Sequence, residues 1–175
     1  FHPLDKSTPM TNSPIYRNTT LSLKPKDEYA VDFAHWETLI RGGNNQYEQG
    51  GLFSAIGTYH QAILAAKVLV SMAPAKKESL TALLTSYHNL ADAYLSSETA
   101  PCNTQLSLAY GAITEVEGLI DTIERQLPRH PHVVRCSSIA RQQRFVFLKR
   151  YPHFAALQCE HPTRSNLQYI KKALH

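Results

Sequence analysis

The spacing of apolar residues is the feature that most restricts how this chain can fold. Between positions 28 and 126, apolar side chains recur every three or four residues, which is the spacing of one buried face of an α-helix. The first such face contains Tyr29, Phe33, Trp36, Leu39 and Ile40. No segment alternates apolar and polar residues convincingly over the length of a strand. The chain is therefore predicted to be all-α.

Glycine and proline residues divide this pattern into separate helices. The first predicted helix, 28–48, ends at Gly50 and Gly51, because residues without a Cβ atom adopt turn conformations that helix interiors avoid. The second, 52–72, ends before Pro74. Further helices are predicted at about 76–96, 103–126 and 133–151, with a short basic helix at 163–174. The prediction is a stack of five to six helices in which the first two are antiparallel neighbours.

The chain is long enough for one domain with its own core, since 43% of its 175 residues are hydrophobic. Residues 1–27 are expected to form an extended arm because they contain Pro3, Pro9, Pro14 and Pro25. This arm is either a mobile leader or a segment that covers a neighbouring surface. Residues 28–126 are expected to form helical hairpins, and residues 127–175 to form C-terminal helices packed on the same domain.

A second pattern combines small and aromatic residues at defined positions. It places a small residue and a Tyr on the first helix, a glycine turn, and then Ala, an aromatic residue and Ala on the second helix: Gly43, Tyr47, Gly50, Ala55, Tyr59 and Ala62. The stretch from Gly43 to Ile63 thereby closely resembles the tetratricopeptide repeat. Glycines at positions 42 and 43 would each cost roughly 1 kcal/mol relative to Ala in a helix, so they favour close approach of two helices.

A looser copy of this pattern follows. The segment from Tyr87 to Tyr94 resembles the first helix of a second repeat, and either Ala109 or Ala112 would be the small residue of its partner helix. The two copies are farther apart than the roughly 34 residues of the standard repeat. The resemblance implies a short right-handed superhelix of stacked antiparallel hairpins. An ordinary antiparallel helix bundle is the alternative.

The same resemblance implies a binding function. The concave face of such a scaffold, lined by the first helix of each pair, holds a peptide or a helix of a partner. We therefore expect a non-catalytic protein–protein interaction module of adaptor or chaperone type, comparable in size to the small tetratricopeptide chaperones of bacterial secretion systems. The expected partner is a protein or peptide, and a homo-oligomer is also compatible with the sequence.

Five residues are candidates for partner binding. Asn44 and Asn89 match the asparagines by which some tetratricopeptide proteins hold the C-terminal carboxylate of a partner. Ile40, however, stands where those members carry a Lys. The positive charge would then come from one or more of the arginines Arg41, Arg141 and Arg144.

A basic and aromatic segment supports a different function. The chain carries a formal net charge of +4, which would attract acidic surfaces. The segment contains Arg135, Arg141, Arg144, Lys149 and Arg150 together with Phe145, Phe147 and Tyr151. The alternative function is therefore a regulator or a nucleic-acid-binding protein. It is the less favoured one, because no block of Lys and Arg exceeds two residues and the aromatic residues also suit a core.

No sequence motif indicates catalysis. A nucleophile elbow and a phosphate-binding loop are both missing, so neither an enzyme nor a cofactor is expected. The acidic residues Glu117, Asp121 and Glu124 share one helix face and are expected to face solvent. Histidines and cysteines suited to zinc occur late in the chain, but their spacing is not that of a structural zinc site: His130, His132, Cys136, His153, Cys159 and His161. No bound metal is expected.

The cysteine count favours a reducing compartment. Three cysteines, widely spaced, do not form the even and dense pattern of a secreted disulfide scaffold, so a cytoplasmic location is expected. No apolar run approaches the about 18 residues of a membrane span. The sequence starts with Phe rather than Met, which leaves open whether an export signal has been removed.

Overall fold

The structure is a computed structural model that describes residues 27–96 and 100–160. These residues form six helices: α1 (Glu28–Glu48), α2 (Leu52–Met72), α3 (Lys77–Leu95), α4 (Asn103–Gln126), α5 (Pro131–Arg150) and α6 (Pro152–Glu160). The described part of the chain contains no strand. The all-α prediction is confirmed, and α1, α2 and α4 have the predicted bounds.

The C-terminal part differs from the prediction at two prolines. Helix α5 begins at Pro131, two residues before the predicted start at Val133, and α6 begins at Pro152, where no helix was predicted. Proline suits the first turn of a helix because its missing N–H group would have no partner there. Residues 1–26 of the predicted arm and the predicted helix at 163–174 lie outside the described residues.

Helices that are consecutive along the chain pack against each other from α1 through to α6. In addition, α1 contacts α3 and α3 contacts α5, so these three alternate helices lie side by side. Alanines allow the close packing between neighbouring helices, and seven of them are fully buried among the described residues: Ala55, Ala62, Ala66, Ala82, Ala93, Ala109 and Ala140. This arrangement is a stack of helical hairpins.

Only one of the two adjacent glycines in α1 is needed for close packing. A Cβ atom at Gly43 would lie 2.6 Å from Cε1 of Tyr59, whereas one at Gly42 would meet nothing nearer than Cγ2 of Thr58, at 3.9 Å. The expectation that both glycines serve helix approach is therefore corrected to Gly43 alone.

The predicted glycine turn between α1 and α2 is confirmed. Gly50 has a φ of 79°, a conformation that favours glycine. The N–H group of Gly50 donates to the Tyr47 carbonyl, and that of Gly51 donates to the Gln46 carbonyl at 2.8 Å. These two bonds satisfy carbonyl groups at the end of α1, as in a Schellman motif, and they reverse the chain into α2.

A buried hydrogen bond joins α1 to α3. The indole Nε1 of Trp36 donates to Oγ of Ser86 at 2.9 Å, and this hydroxyl in turn donates to the Ala82 carbonyl at 2.8 Å. Trp36 is 8% exposed and Ser86 is fully buried, so the indole N–H group depends on the Ser86 hydroxyl for an acceptor.

Within residues 27–96 and 100–160, none of the helices is long and apolar enough to cross a membrane.

Candidate partner-binding groove

The structure brings the two candidate asparagines into contact. Asn44 is on α1 and Asn89 is on α3, and Nδ2 of Asn89 donates to Oδ1 of Asn44 at 2.9 Å. The hydroxyl of Tyr59 donates to the same oxygen, also at 2.9 Å. Burial is the main cause that raises the pKa of Tyr59, which keeps its hydroxyl protonated and able to donate. The Asn44 side chain is therefore held from two neighbouring helices.

These residues form the floor of an open groove of about 380 Å³, which we call the asparagine groove. Helices α1, α3 and α5 supply most of its lining, and the complete set is Asn44, Tyr47, Glu48, Tyr59, Asn89, Asp92, Leu95, Ser96 and Arg150. A smaller hollow of about 180 Å³ shares Asp92, Leu95 and Arg150 with it and continues between α3 and α5, past His88 and Tyr151. The groove thus follows the layer of alternate helices.

Charges of both signs lie along this groove. Loss of hydration raises the pKa of Asp92, while His88 and Arg150 act in the opposite direction. Burial lowers the pKa of His88, against a smaller contribution from Asp92. The buried Nε2 atom of His88 has no hydrogen-bond partner among the described residues. With Glu48 as a second acid, the groove is polar and carries no large excess of positive charge.

The three candidate arginines lie elsewhere. Arg41 is exposed on α1, where its Nε donates to the Glu37 carbonyl at 3.4 Å, and it does not line the asparagine groove. Arg141 and Arg144 are on α5 but face α4, beside a separate groove of about 810 Å³. The arginine that lies near the asparagine pair is Arg150, at the end of α5.

The acidic face of α4 does not simply face solvent, so that expectation is wrong. Arg141 lies 2.8 Å from Oδ1 of Asp121 and 2.8 Å from Oε2 of Glu124. Arg144 pairs with Glu117 through Nε and Oε2 at 2.6 Å. These acids therefore join α4 to α5. The sequence shows that they share one face of α4, but it does not show which helix packs against that face.

A buried hydroxyl completes the contact between α4 and α5. Oγ of Ser137 lies 2.6 Å from Oε2 of Glu124 and 3.2 Å from Oδ1 of Asp121. The pKa of Glu124 is lowered, first by the hydrogen bond from Ser137 and then by Arg141, while loss of hydration opposes both. The short distance to Glu124 identifies it as the main acceptor of the hydroxyl proton.

Sequence reasoning identified both asparagines but did not place Asp92 or Arg150 beside them, and it named Arg150 only as part of the basic segment. Asp92 follows Asn89 by three residues, which places the two on one face of α3, so the spacing offered a signal. Arg150 offered none, because its position depends on the contact between α3 and α5. Only the packing of the helices brings it to the groove.

The histidines and cysteines do not form a metal site within the described residues. No group of three or more His, Cys, Asp or Glu side chains there could hold a metal ion. The rings of His130 and His132 are 5.7 Å apart, and Cys136 is buried, which raises the pKa of its thiol. The side chain of Cys159 and all of His161 lie outside the described residues.

No curated protein and no solved structure matches the chain. The resemblance to the tetratricopeptide repeat stays a prediction, since the family model that does match is a different one. That model is described as "Protein of unknown function (DUF2753)" and matches residues 34–171, a range that includes Asn44, Asn89 and Arg150. The chain therefore belongs to the DUF2753 family.

Proposed function

We propose that this chain is a non-catalytic protein–protein interaction module that holds a segment of a partner polypeptide in the asparagine groove. One observation carries the proposal: three alternate helices, α1, α3 and α5, direct polar side chains into the same open groove. A segment of polypeptide has the matching chemistry, because it presents hydrogen-bonding groups along its whole length. An adaptor or a chaperone would use such a groove in the same way.

The fixed position of the Asn44 side chain in the floor of the groove supports this proposal. Two hydrogen bonds hold the Asn44 side chain, and Tyr59, which makes one of them, is only 3% exposed. A side chain that is already held loses little conformational entropy when it binds a ligand. The groove therefore offers polar contacts at a low entropic cost.

The alternative function, binding of nucleic acid through the basic segment, receives less support. Arg141 and Arg144 are both paired with acids of α4, which reduces the positive charge that they offer to a phosphate backbone. Phe147 is buried in the core, so it is not free to stack on a base. Phe145 is the exposed aromatic residue of α5.

A photo-crosslinking experiment tests the proposed function. The photoreactive amino acid p-benzoylphenylalanine replaces Tyr47, which lines the groove, in the full-length chain produced in cells of the source organism. The matched control carries it at Phe53, an aromatic residue of α2 that is 91% exposed and does not line the groove. Crosslinked products are identified by mass spectrometry.

We expect a polypeptide to crosslink from position 47 and not from position 53. Crosslinking from position 53 alone, or from neither position, would contradict the proposal. Crosslinking to RNA from either position would instead favour the nucleic-acid alternative.

A further inference from the structure

Helix α2 carries an exposed apolar stripe. Leu64, Val68 and Met72 follow one another at four-residue spacing, which places them on one side of the helix. These residues are 64%, 46% and 41% exposed. Within α2, Lys67 is the only residue among Asp, Glu, Lys and Arg. A helix with so few charged residues is typically buried on more than one side, so we expect the stripe to be covered.

A hollow of about 350 Å³ lies beside this stripe, between α1 and α2. Leu39, Leu64, Ala65 and Val68 line it with apolar side chains, and Asp32 adds one carboxylate. We call the hollow together with the stripe the apolar groove. It shares no lining residue with the asparagine groove, so it is a separate surface.

Residues 1–26 lead into the described chain beside the apolar groove. Asp32, about one turn into α1, lines the same hollow as Val68, which is about one turn from the end of α2. The stripe is about 12 Å long, since a helix rises about 1.5 Å per residue. An extended chain covers about 3.3 Å per residue, so the stretch from Leu21 to Asp27 spans about 20 Å. Residues 21–26 can therefore reach the groove from the start of α1.

The sequence of residues 21–26 suits an extended segment with one apolar side. Leu21 and Leu23 alternate with a serine, and alternate side chains of an extended chain point to the same side. Lys24 precedes Pro25, and the residue before a proline favours an extended backbone. Such a segment can place both leucines on the stripe of α2.

Charge favours this segment over a second copy of the chain as the occupant. The first half of α1 carries the acids Glu28, Asp32 and Glu37 and no Lys or Arg. The segment before it carries Lys24 and Lys26. In a twofold contact both copies present the same surface, so two copies would bring the acidic start of α1 close to itself. The N-terminal segment instead brings opposite charge to these acids.

We propose that residues 21–26 lie in the apolar groove of their own chain. Leu21 and Leu23 cover the stripe on α2, and a lysine of the segment lies near Asp32. The N-terminal arm is then a segment that covers a neighbouring surface, which is one of the two roles expected from the sequence. This inference does not rest on the proposed function, because the two grooves are separate.

Photo-crosslinking within the purified full-length chain tests this position. In one variant p-benzoylphenylalanine replaces Leu64 in the groove. The matched control carries it at Phe145 on α5, which is 66% exposed and therefore as accessible as Leu64. Denaturing electrophoresis separates crosslinks within one chain from crosslinks between chains, and mass spectrometry maps the crosslinked residues.

We expect crosslinks within one chain from position 64 to residues 21–26, and no crosslink to these residues from position 145. Crosslinks between two chains from position 64 would identify a second copy as the occupant and overturn the inference. Absence of any crosslink from position 64 to residues 21–26 would also overturn it.

Replacement of the two leucines gives the second measurement. In the chain with the photoreactive residue at position 64, Leu21→Ser combined with Leu23→Ser should lower the crosslink yield by about 10-fold or more, because two apolar side chains lose their burial. Ser22→Ala is the matched control and should keep the yield, since its side chain points away from the groove in an extended segment. Circular dichroism verifies that the variants keep their helix content. Equal yields from the two variants would overturn the inference.

Discussion

The ring of Tyr59 occupies the place where a side chain at Gly43 would begin, since a Cβ atom at position 43 would lie 2.6 Å from Cε1 of that ring. The ring has little room to retreat because Tyr59 is buried on α2, and its hydroxyl donates to Asn44. Helix packing and the polar floor of the asparagine groove therefore depend on the same tyrosine.

Replacing Gly42 and Gly43 one at a time by alanine should separate the effect of helix propensity on stability from the effect of side-chain packing. Gly42→Ala should raise the free energy of unfolding by up to about 1 kcal/mol, because alanine favours the helix and the added Cβ atom has room. Gly43→Ala should be less stable than Gly42→Ala by about 1–3 kcal/mol, the usual cost of overpacking. Urea denaturation measures both. Equal stability of the two variants would show that Tyr59 moves without cost.

The first hairpin was the most predictable part of the fold because its signals are local. The turn at Gly50 and Gly51 and the stop before Pro74 are visible within a few residues of the helices that they end. The contact between Gly43 and Tyr59 follows from the same short stretch. Arg150 reaches the asparagine pair only through the packing of α5 on α3, and no local pattern contains that information.

The pair formed by Trp36 and Ser86 provides a second prediction. Ser86→Ala should cost about 1–3 kcal/mol, because it leaves the buried indole N–H group without an acceptor. In a Trp36→Phe background the same change should cost less, by about 1 kcal/mol, since no indole N–H group is then left unpaired. The free energies of unfolding of the wild type, the two single variants and the double variant give the coupling energy between Trp36 and Ser86. Additive effects would mean that the hydrogen bond contributes nothing specific.

His88 should make the stability of the protein depend on pH. Burial lowers its pKa in the folded state, so below the ordinary value of about 6.5 the unfolded chain binds more protons. Stability contributed by neutral His88 is therefore lost as the pH falls from about 7.5 towards the lowered pKa. His88→Gln should flatten this part of the profile, measured as the free energy of unfolding between about pH 7.5 and 5.5.

The control for His88 is His35→Gln, which replaces an exposed histidine on α1 and should keep the slope of the wild type. Asp92 contributes with the opposite sign and at lower pH, because its pKa is raised from an ordinary value near 4. The measured range therefore stops at about pH 5.5. A His88→Gln profile as steep as that of the wild type would contradict the prediction.

Between α4 and α5, the carboxylate of Glu124 accepts a hydrogen bond from Ser137 and forms an ion pair with Arg141. The effects of these two interactions on one carboxylate can therefore be compared. The hydrogen bond from Ser137 is the largest single cause of the lowered pKa of Glu124, and the charge and the hydrogen bond of Arg141, whose side chain is 51% exposed and therefore screened by water, lower it further. Ser137→Ala should raise the pKa of Glu124 more than Arg141→Ala does, as measured by NMR titration of the carboxyl carbon. Ser138→Ala is the matched control, since that hydroxyl donates to the Val134 carbonyl and should leave Glu124 unchanged.

Ser137→Ala should also change how the stability of the protein depends on pH in the acid range. A carboxylate with a lowered pKa stabilises the folded state above its ordinary pKa of about 4.3, and this stabilisation is lost as the pH falls through the lowered value. Ser137→Ala brings the folded and unfolded pKa values of Glu124 closer together, so the difference in stability between about pH 7 and pH 3 should become smaller. If Arg141→Ala produced the larger shift, the charge of the arginine would be the main stabilising interaction of Glu124, and the buried hydroxyl would serve mainly to fill space between the helices.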